Sequence, residues 1–334
     1  LKTIANQKRL PGPPQPLTPS QRNSQLDMLR GVGIILVVVT HVFMLSTGKF
    51  DAFTRVTYLF HMPLFFFLAG YLSPVRKEFG SFFVSKLRQF GIPYMAYFFV
   101  VFVLNKLVGA NDVGLKQAFW GGGSLYGFLG AFWFIPVFFL SQQLGNFVLA
   151  KCNVTNAIII ASGLLAIAYV NEAYFGKVQF PQNANVTFAA APFYIVGNLL
   201  KGFKFDRWIA IPVVFALTGF YFATAGDNAH FNMKNAIYGI PVVSFLASLG
   251  CIITLIYLFN RLPSFRPLVE IGKASLVILY LHQCIQIFLF NHVAQNVALR
   301  IVCATVLPLI VYYVAMNEPR LKMILLGIGD KKKA

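Results

Sequence analysis

The chain is a succession of long apolar runs separated by short polar breaks. Ten such runs, at 27–47, 57–73, 90–109, 125–149, 156–171, 187–201, 208–225, 236–259, 273–291 and 297–316, approach the roughly 20 residues that a helix needs to cross ~30 Å of hydrocarbon. The pattern predicts an all-α integral membrane protein, a bundle of about ten transmembrane helices. The fifth and sixth runs are short and are expected to be tilted, broken or partly re-entrant. Residues 1–25 are polar and proline-rich (Pro11, Pro13, Pro14, Pro16, Pro19) and lack the apolar core of a secretory signal peptide, so a flexible tail is expected there. Residues 26–316 then form the membrane domain and 317–334 a basic C-terminal tail.

Composition sharpens this. Of 334 residues 57% are hydrophobic and only 11% charged, where a soluble chain carries roughly a quarter charged. A cytosolic enzyme and a disordered chain are both excluded. Four scattered cysteines (Cys152, Cys251, Cys284, Cys303) show no metal-ligand or disulfide-framework spacing, so no metal is expected. The net charge of +18 is better read as the excess of Lys and Arg held on the cytoplasmic face of a membrane protein than as a nucleic-acid footprint. Ten spans place Lys49, Arg55, Lys106, Lys116, Lys177, Lys234 and Arg300 outside and the other 21 of the 28 basic residues inside. That bias predicts two cytoplasmic termini, with Lys331, Lys332 and Lys333 as a stop signal at the headgroups. The longest outer segments, near 110–124 and 172–186, are short, so any chemistry falls to the bundle itself.

Ionisable groups inside the spans are costly unless paired or wet, which makes each a candidate site. The first run opens Leu26-Asp27-Met28-Leu29-Arg30-Gly31 and reaches Thr40-His41. Asp27 and Arg30 share a face, and His41 lies eleven residues beyond Arg30, about three turns and ~16 Å along the same stripe. Taken singly, Asp27 and Arg30 also suit a helix entry and His41 a hydrogen-bonded core position. Aligned, the three favour a functional reading. The second run opens Phe60-His61-Met62-Pro63, with Pro63 expected in a first helical turn and His61 at the outer interface or in the site. Pro136, in Phe132-Trp133-Phe134-Ile135-Pro136, is expected to kink the fourth helix. In the ninth run Ser275 and His282 share a face, and His282 falls near midplane in either a structural or a functional role. His230 and His292, beside outer loops, are expected to be solvated. Asn185-Val186-Thr187 formally matches a glycosylation sequon.

Together these residues resemble a known family. Leu26 to Gly31 with His41, the stretch Phe60-His61-Met62-Pro63-Leu64-Phe65-Phe66-Phe67-Leu68-Ala69-Gly70-Tyr71, Phe132 to Pro136, and Glu270-Ile271-Gly272-Lys273-Ala274-Ser275 leading to Tyr280-Leu281-His282 look like the membrane acyltransferase-3 family, in particular its fucose 4-O-acetylase-like members. The resemblance implies an O-acyltransferase of the bacterial inner membrane. Such an enzyme moves an acyl group, usually acetyl from cytosolic acetyl-CoA, to a hydroxyl of a lipid-linked or polymeric envelope glycan. It also implies essential roles for Arg30 and His41. Members often carry an Arg-x-x-Arg pair before the third span's proline, where this chain has Lys86, Arg88 and Gln89.

Acyl transfer from a thioester to a hydroxyl requires a base, donors for the developing oxyanion and a site for the anionic nucleotide of the donor. The expected catalytic group is His41 as base with Arg30 and its partner Asp27. The expected donor contacts are Arg30, Arg76, Lys77, Lys86 and Arg88, a basic cytoplasmic mouth suited to phosphates. The expected acceptor lining is His61, Trp133 and His282. Direct transfer and an acyl-histidine relay are both compatible with these residues, as are acetyl and succinyl donors. The competing class is a transporter or flippase for a sugar or anionic metabolite, which also uses intramembrane polar stripes and broken helices.

Overall fold

A computed structural model describes residues 19–109, 113–176, 178, 180–226 and 230–329. Its helices are α1 (Pro19–Thr47), α2 (Ala52–Leu72), α3 (Phe79–Lys86), α4 (Ile92–Leu107), α5 (Leu115–Trp120), α6 (Phe134–Lys151), α7 (Val154–Phe175), α8 (Thr187–Leu199), α9 (Ala210–Ala225), α10 (Val243–Phe259), α11 (Arg266–Lys273), α12 (Ser275–His292), α13 (Val297–Asn317) and α14 (Pro319–Leu326). Among the described residues the only β pairing is one isolated bridge, Asn232 to Ile237. Each of the ten apolar runs contains a helix, and seven helical stretches are long and apolar enough to cross a membrane. The chain is a multi-pass, all-helical membrane protein.

Large apolar side chains cover the outside of this bundle. Met95 and Phe99 on α4, Ile158 and Ile159 on α7, Val214 and Leu217 on α9, and Val302 and Ile310 on α13 are all exposed. Such faces are stable against lipid and not against water. The interior is built on α2, α6 and α8. Helix α8 is only thirteen residues long, and Ala189, Ala190, Ala191, Phe193 and Ile195 have no exposed surface. Its backbone lies so close to α2 that a Cβ on Gly70 would stand 1.9 Å from the Tyr194 carbonyl oxygen, and one on Gly197 2.2 Å from that of Phe67. Only glycine permits this crossing.

Several expectations need correction. The fifth run is a full 22-residue helix, α7, capped by the Asn153 side chain on the Asn156 N–H; only the sixth, α8, is short. Helix α1 starts at Pro19, inside the expected tail. Gln25 is buried and its amide donates to the Leu262 carbonyl at 3.0 Å; residues 1–18 lie outside the described residues. The C-terminal segment likewise forms α14, capped by Glu318 and carrying buried Leu326, while Lys331, Lys332 and Lys333 lie outside the described residues. Helix α2 begins five residues before its apolar run, because Asp51 caps it through the Thr54 N–H at 2.9 Å. Hydrogen bonding from Thr54, its N–H first, holds the Asp51 carboxyl below its usual pKa. Pro63 and His61 therefore sit in mid-helix, not in a first turn or at an interface. Pro136 falls in the first turn of α6, where proline costs little.

The fourth and eighth runs are not helical throughout. Residues 121–133 and 230–242 are short 3-10 turns and irregular backbone, yet Leu125, Phe128, Leu129, Phe132, Phe231, Met233 and Tyr238 are buried. Irregular chain is tolerated at membrane depth where protein or a wet cavity surrounds it. The Asn183 side chain bonds to both segments. Asn183, buried with φ +55°, accepts the Gly123 N–H at 2.6 Å and donates to the Lys234 carbonyl at 2.9 Å. The expected sequon is also buried: the Asn185 amide donates to Asn171 at 2.8 Å.

Candidate active site

Helices α1 and α12 pack together, and α11 crosses α1 at Asp27 and Gly31. A Cβ on Gly272 would stand 1.8 Å from the Asp27 carbonyl oxygen, and one on Gly31 2.2 Å from that of Leu268. The two glycines let the backbones touch. This contact fixes the Asp27–Arg30 pair, whose side chains bond at 3.1 Å as the i,i+3 spacing requires.

Arg30 faces a cavity of about 380 Å³. Lys86, Gln89, Gln142, Lys273 and Ser275 line the same space, together with Phe65, Phe90, Phe138 and Tyr312. Lys86 reaches it from the end of α3 and Gln89 from the π-helical turn Leu87–Gly91 that follows, and the Lys86 ammonium donates to the Gln89 side chain at 3.1 Å. Pro93, unable to donate its backbone nitrogen, stands two residues past the turn and accounts for the local widening. Lys273 pairs with Glu270 at 2.9 Å; that bond, with a further one from Tyr313, lowers the Glu270 carboxyl pKa. The Gln142 amide nitrogen is buried without a partner. Arg76, Lys77 and Arg88, expected in this mouth, are exposed and do not line the cavity.

Past Phe134 and Leu279, which line both spaces, a second cavity of about 230 Å³ opens. Its wall contains His41, His61, Trp133, Tyr58, Tyr126, Lys234 and Gln283. His61 donates from Nδ1 to the Thr57 carbonyl at 2.8 Å. His282 has no exposed surface and does not line this cavity; it stands behind His41.

The hydrogen bonds fix the tautomers. His282 Nδ1 lies 2.9 Å from the carbonyl oxygens of Ile278 and Leu279, which can only accept, so this nitrogen carries the proton. Its Nε2 then holds a lone pair and accepts from His41 Nδ1 at 2.9 Å. His41 Nε2 is left as a lone-pair acceptor. The two rings lie within 9° of parallel. An imidazole oriented by a second group, with its free nitrogen at a cavity, is the arrangement of a general base.

The family model described as an acyltransferase domain matches residues 23–317. The chain belongs to the acyltransferase-3 family. Among curated proteins it is similar to the nodulation protein NolL of Mesorhizobium japonicum, at 27% identity over 164 residues, 46% of this chain and 43% of that protein. It is also similar to a protein named amino-acid racemase from Enterococcus faecalis, at 23% identity over 215 residues, 61% of this chain and 29% of that protein. The chain thus spans less than half the length of either relative. No solved structure matches. Within this acyltransferase-3 chain, the residues quoted from the first, second, fourth and ninth runs converge on the two cavities. Sequence reasoning missed Gln142, Tyr126, Lys234 and Gln283. Gln142 lies within an apolar helix, and the others belong to or face the irregular segments, so no periodicity marks any of them. His230, expected in solvent, is buried against the Phe50 ring at 4.7 Å between centroids. His292 is exposed. Among the described residues no cluster of His, Cys, Asp or Glu is grouped to hold a metal.

Proposed function

We propose that this acyltransferase is an O-acyltransferase of the bacterial inner membrane, moving acetyl from cytosolic acetyl-CoA to a hydroxyl of a cell-envelope sugar. The observation that carries this reading is His41 Nε2, held as a lone-pair acceptor by His282, where a cavity containing Arg30 abuts one lined by aromatic rings. In this reading the ten helical runs all span, both termini are cytoplasmic, and the Arg30 cavity opens to the cytoplasm. Arg30, oriented by Asp27, and Lys86 bind the donor's phosphates. Gln142 offers its unpartnered amide to the donor's pantetheine amides.

The sugar enters the other cavity and stacks on Trp133, with His61 beside it. His41 Nε2 takes the hydroxyl proton as the alcohol oxygen bonds to the acyl carbon; the carbon–sulfur bond breaks, and the same proton passes to the departing thiolate. His282 positions the base and spreads the charge that His41 gains. The test is release of free CoA by the purified protein in lipid nanodiscs, in the presence of envelope glycan. Acyltransfer gives CoA in step with a one-acetyl mass increase on the glycan. A transporter or flippase leaves acetyl-CoA intact, which would reject the proposal.

A further inference from the structure

Lys234 is a partly buried cation that has no counter-charge among the described residues. Its ammonium donates to the Leu125 carbonyl at 2.6 Å and lies 5.0 Å from the Tyr126 ring centre. An ammonium has three N–H groups, and among the described residues one of them has a hydrogen-bond partner. Among the described residues Lys234 makes no ion pair, and no acidic side chain lines its cavity. The position is built, because Asn183 holds the Lys234 backbone carbonyl and ties it to Gly123. Beside it, the Gln283 side-chain oxygen is buried without a partner. Burying a lone charge costs several kcal/mol unless a partner arrives.

We propose that the His41 cavity selects acceptors bearing an anionic oxyacid group, a carboxylate or a phosphate, and that Lys234 binds that group while the sugar stacks on the neighbouring aromatic rings. This rests on the reading of the cavity as the acceptor site. Lys234 lines the His41 cavity alone and is absent from the wall that contains Arg30. Its cation therefore suits a distal substituent of the acceptor better than the donor's phosphates. The aromatic and amide groups around it supply ring stacking and hydroxyl contacts, the usual means of holding a sugar.

The test measures binding of three probes to the full chain in nanodiscs: methyl glucoside, methyl glucuronide and a glucose phosphate monoester. The wild type is expected to bind at least one anionic probe about tenfold or more tighter than the neutral one, the size of a charge-assisted hydrogen bond. Preference for the glucuronide or the phosphate tells which oxyacid is read. Lys234→Met should erase the preference and Lys234→Arg retain much of it. CoA binding, unchanged in Lys234→Met, shows that the variant is folded. Equal binding of all three probes, absence of binding included, or a preference that survives Lys234→Met, overturns the proposal. If the preference depends on Lys234 but no acceptor drives CoA release, the anion site stands and the acyltransfer reading falls.

Discussion

At the residue scale, the account turns on one chain of hydrogen bonds: two backbone carbonyls, His282, His41 and then an open lone pair. A glutamine at 282 offers a side-chain oxygen where His282 Nε2 accepts, whereas alanine offers nothing. His282→Gln is therefore expected to keep part of the turnover and His282→Ala to lose 10²-fold or more, the usual worth of a positioned base, with acceptor affinity little changed in both. Rates and KM values of the two variants check this; equal loss in both would reduce His282 to packing. Burial pushes the Lys234 ammonium down to about 8. The cation is present below that pH and lost above it, so preference for an anionic probe should fall as pH rises through about 8, and a binding titration checks it. Asp27, Arg30 and His41 were legible because one helix carries all three and helical spacing alone aligns them. The pairing of His41 with His282 was not, since it depends on how α1 and α12 are rotated against each other. Lys234 reads as an ordinary loop lysine until the segment carrying it is seen to fold inward.

At the element scale, the glycines of α1 and α11 hold Arg30 in register with the rest of the site. Gly272→Val must move α11 away from the Asp27 carbonyl, and overpacking of this kind costs about 1–3 kcal/mol. A lower thermal midpoint together with weakened CoA binding is the expected result. Asn183→Ala removes its bond to each irregular segment and leaves, among the described residues, only the Lys234–Leu125 bond between them; it should destabilise the fold by roughly 1–3 kcal/mol, the cost of leaving buried backbone groups unpaired, and weaken acceptor binding more than CoA binding. Calorimetry and probe titrations separate the two effects. Apolar runs located the helices well because lipid and protein both reward hydrophobic faces. They misplaced the ends of α2, α6 and α10, since a cap such as Asp51 extends a helix into polar sequence while buried irregular chain is as apolar as a helix.

At the scale of the whole molecule, the excess of basic residues reads as a topology, and most of the described ones stay at the surface. Arg300 departs from that pattern: counted with the outer charges at the start of the tenth run, it is fully buried in the first turn of α13. Its guanidinium donates to the Gln286 backbone carbonyl at 3.2 Å, to the Gln286 side-chain oxygen at 2.5 Å and to Ser46 at 2.7 Å, joining α1, α12 and α13. Arg300→Ala should therefore lower the thermal midpoint markedly while leaving the residues around His41 chemically intact. The proposed function rests on transfer at the junction of the two cavities. Its most direct test is CoA release coupled to acetylation of envelope glycan, compared between the wild type and His41→Ala, with CoA binding measured on both. The account predicts coupled turnover in the wild type and its loss in a variant that still binds CoA. Turnover at the wild-type rate in His41→Ala would contradict it.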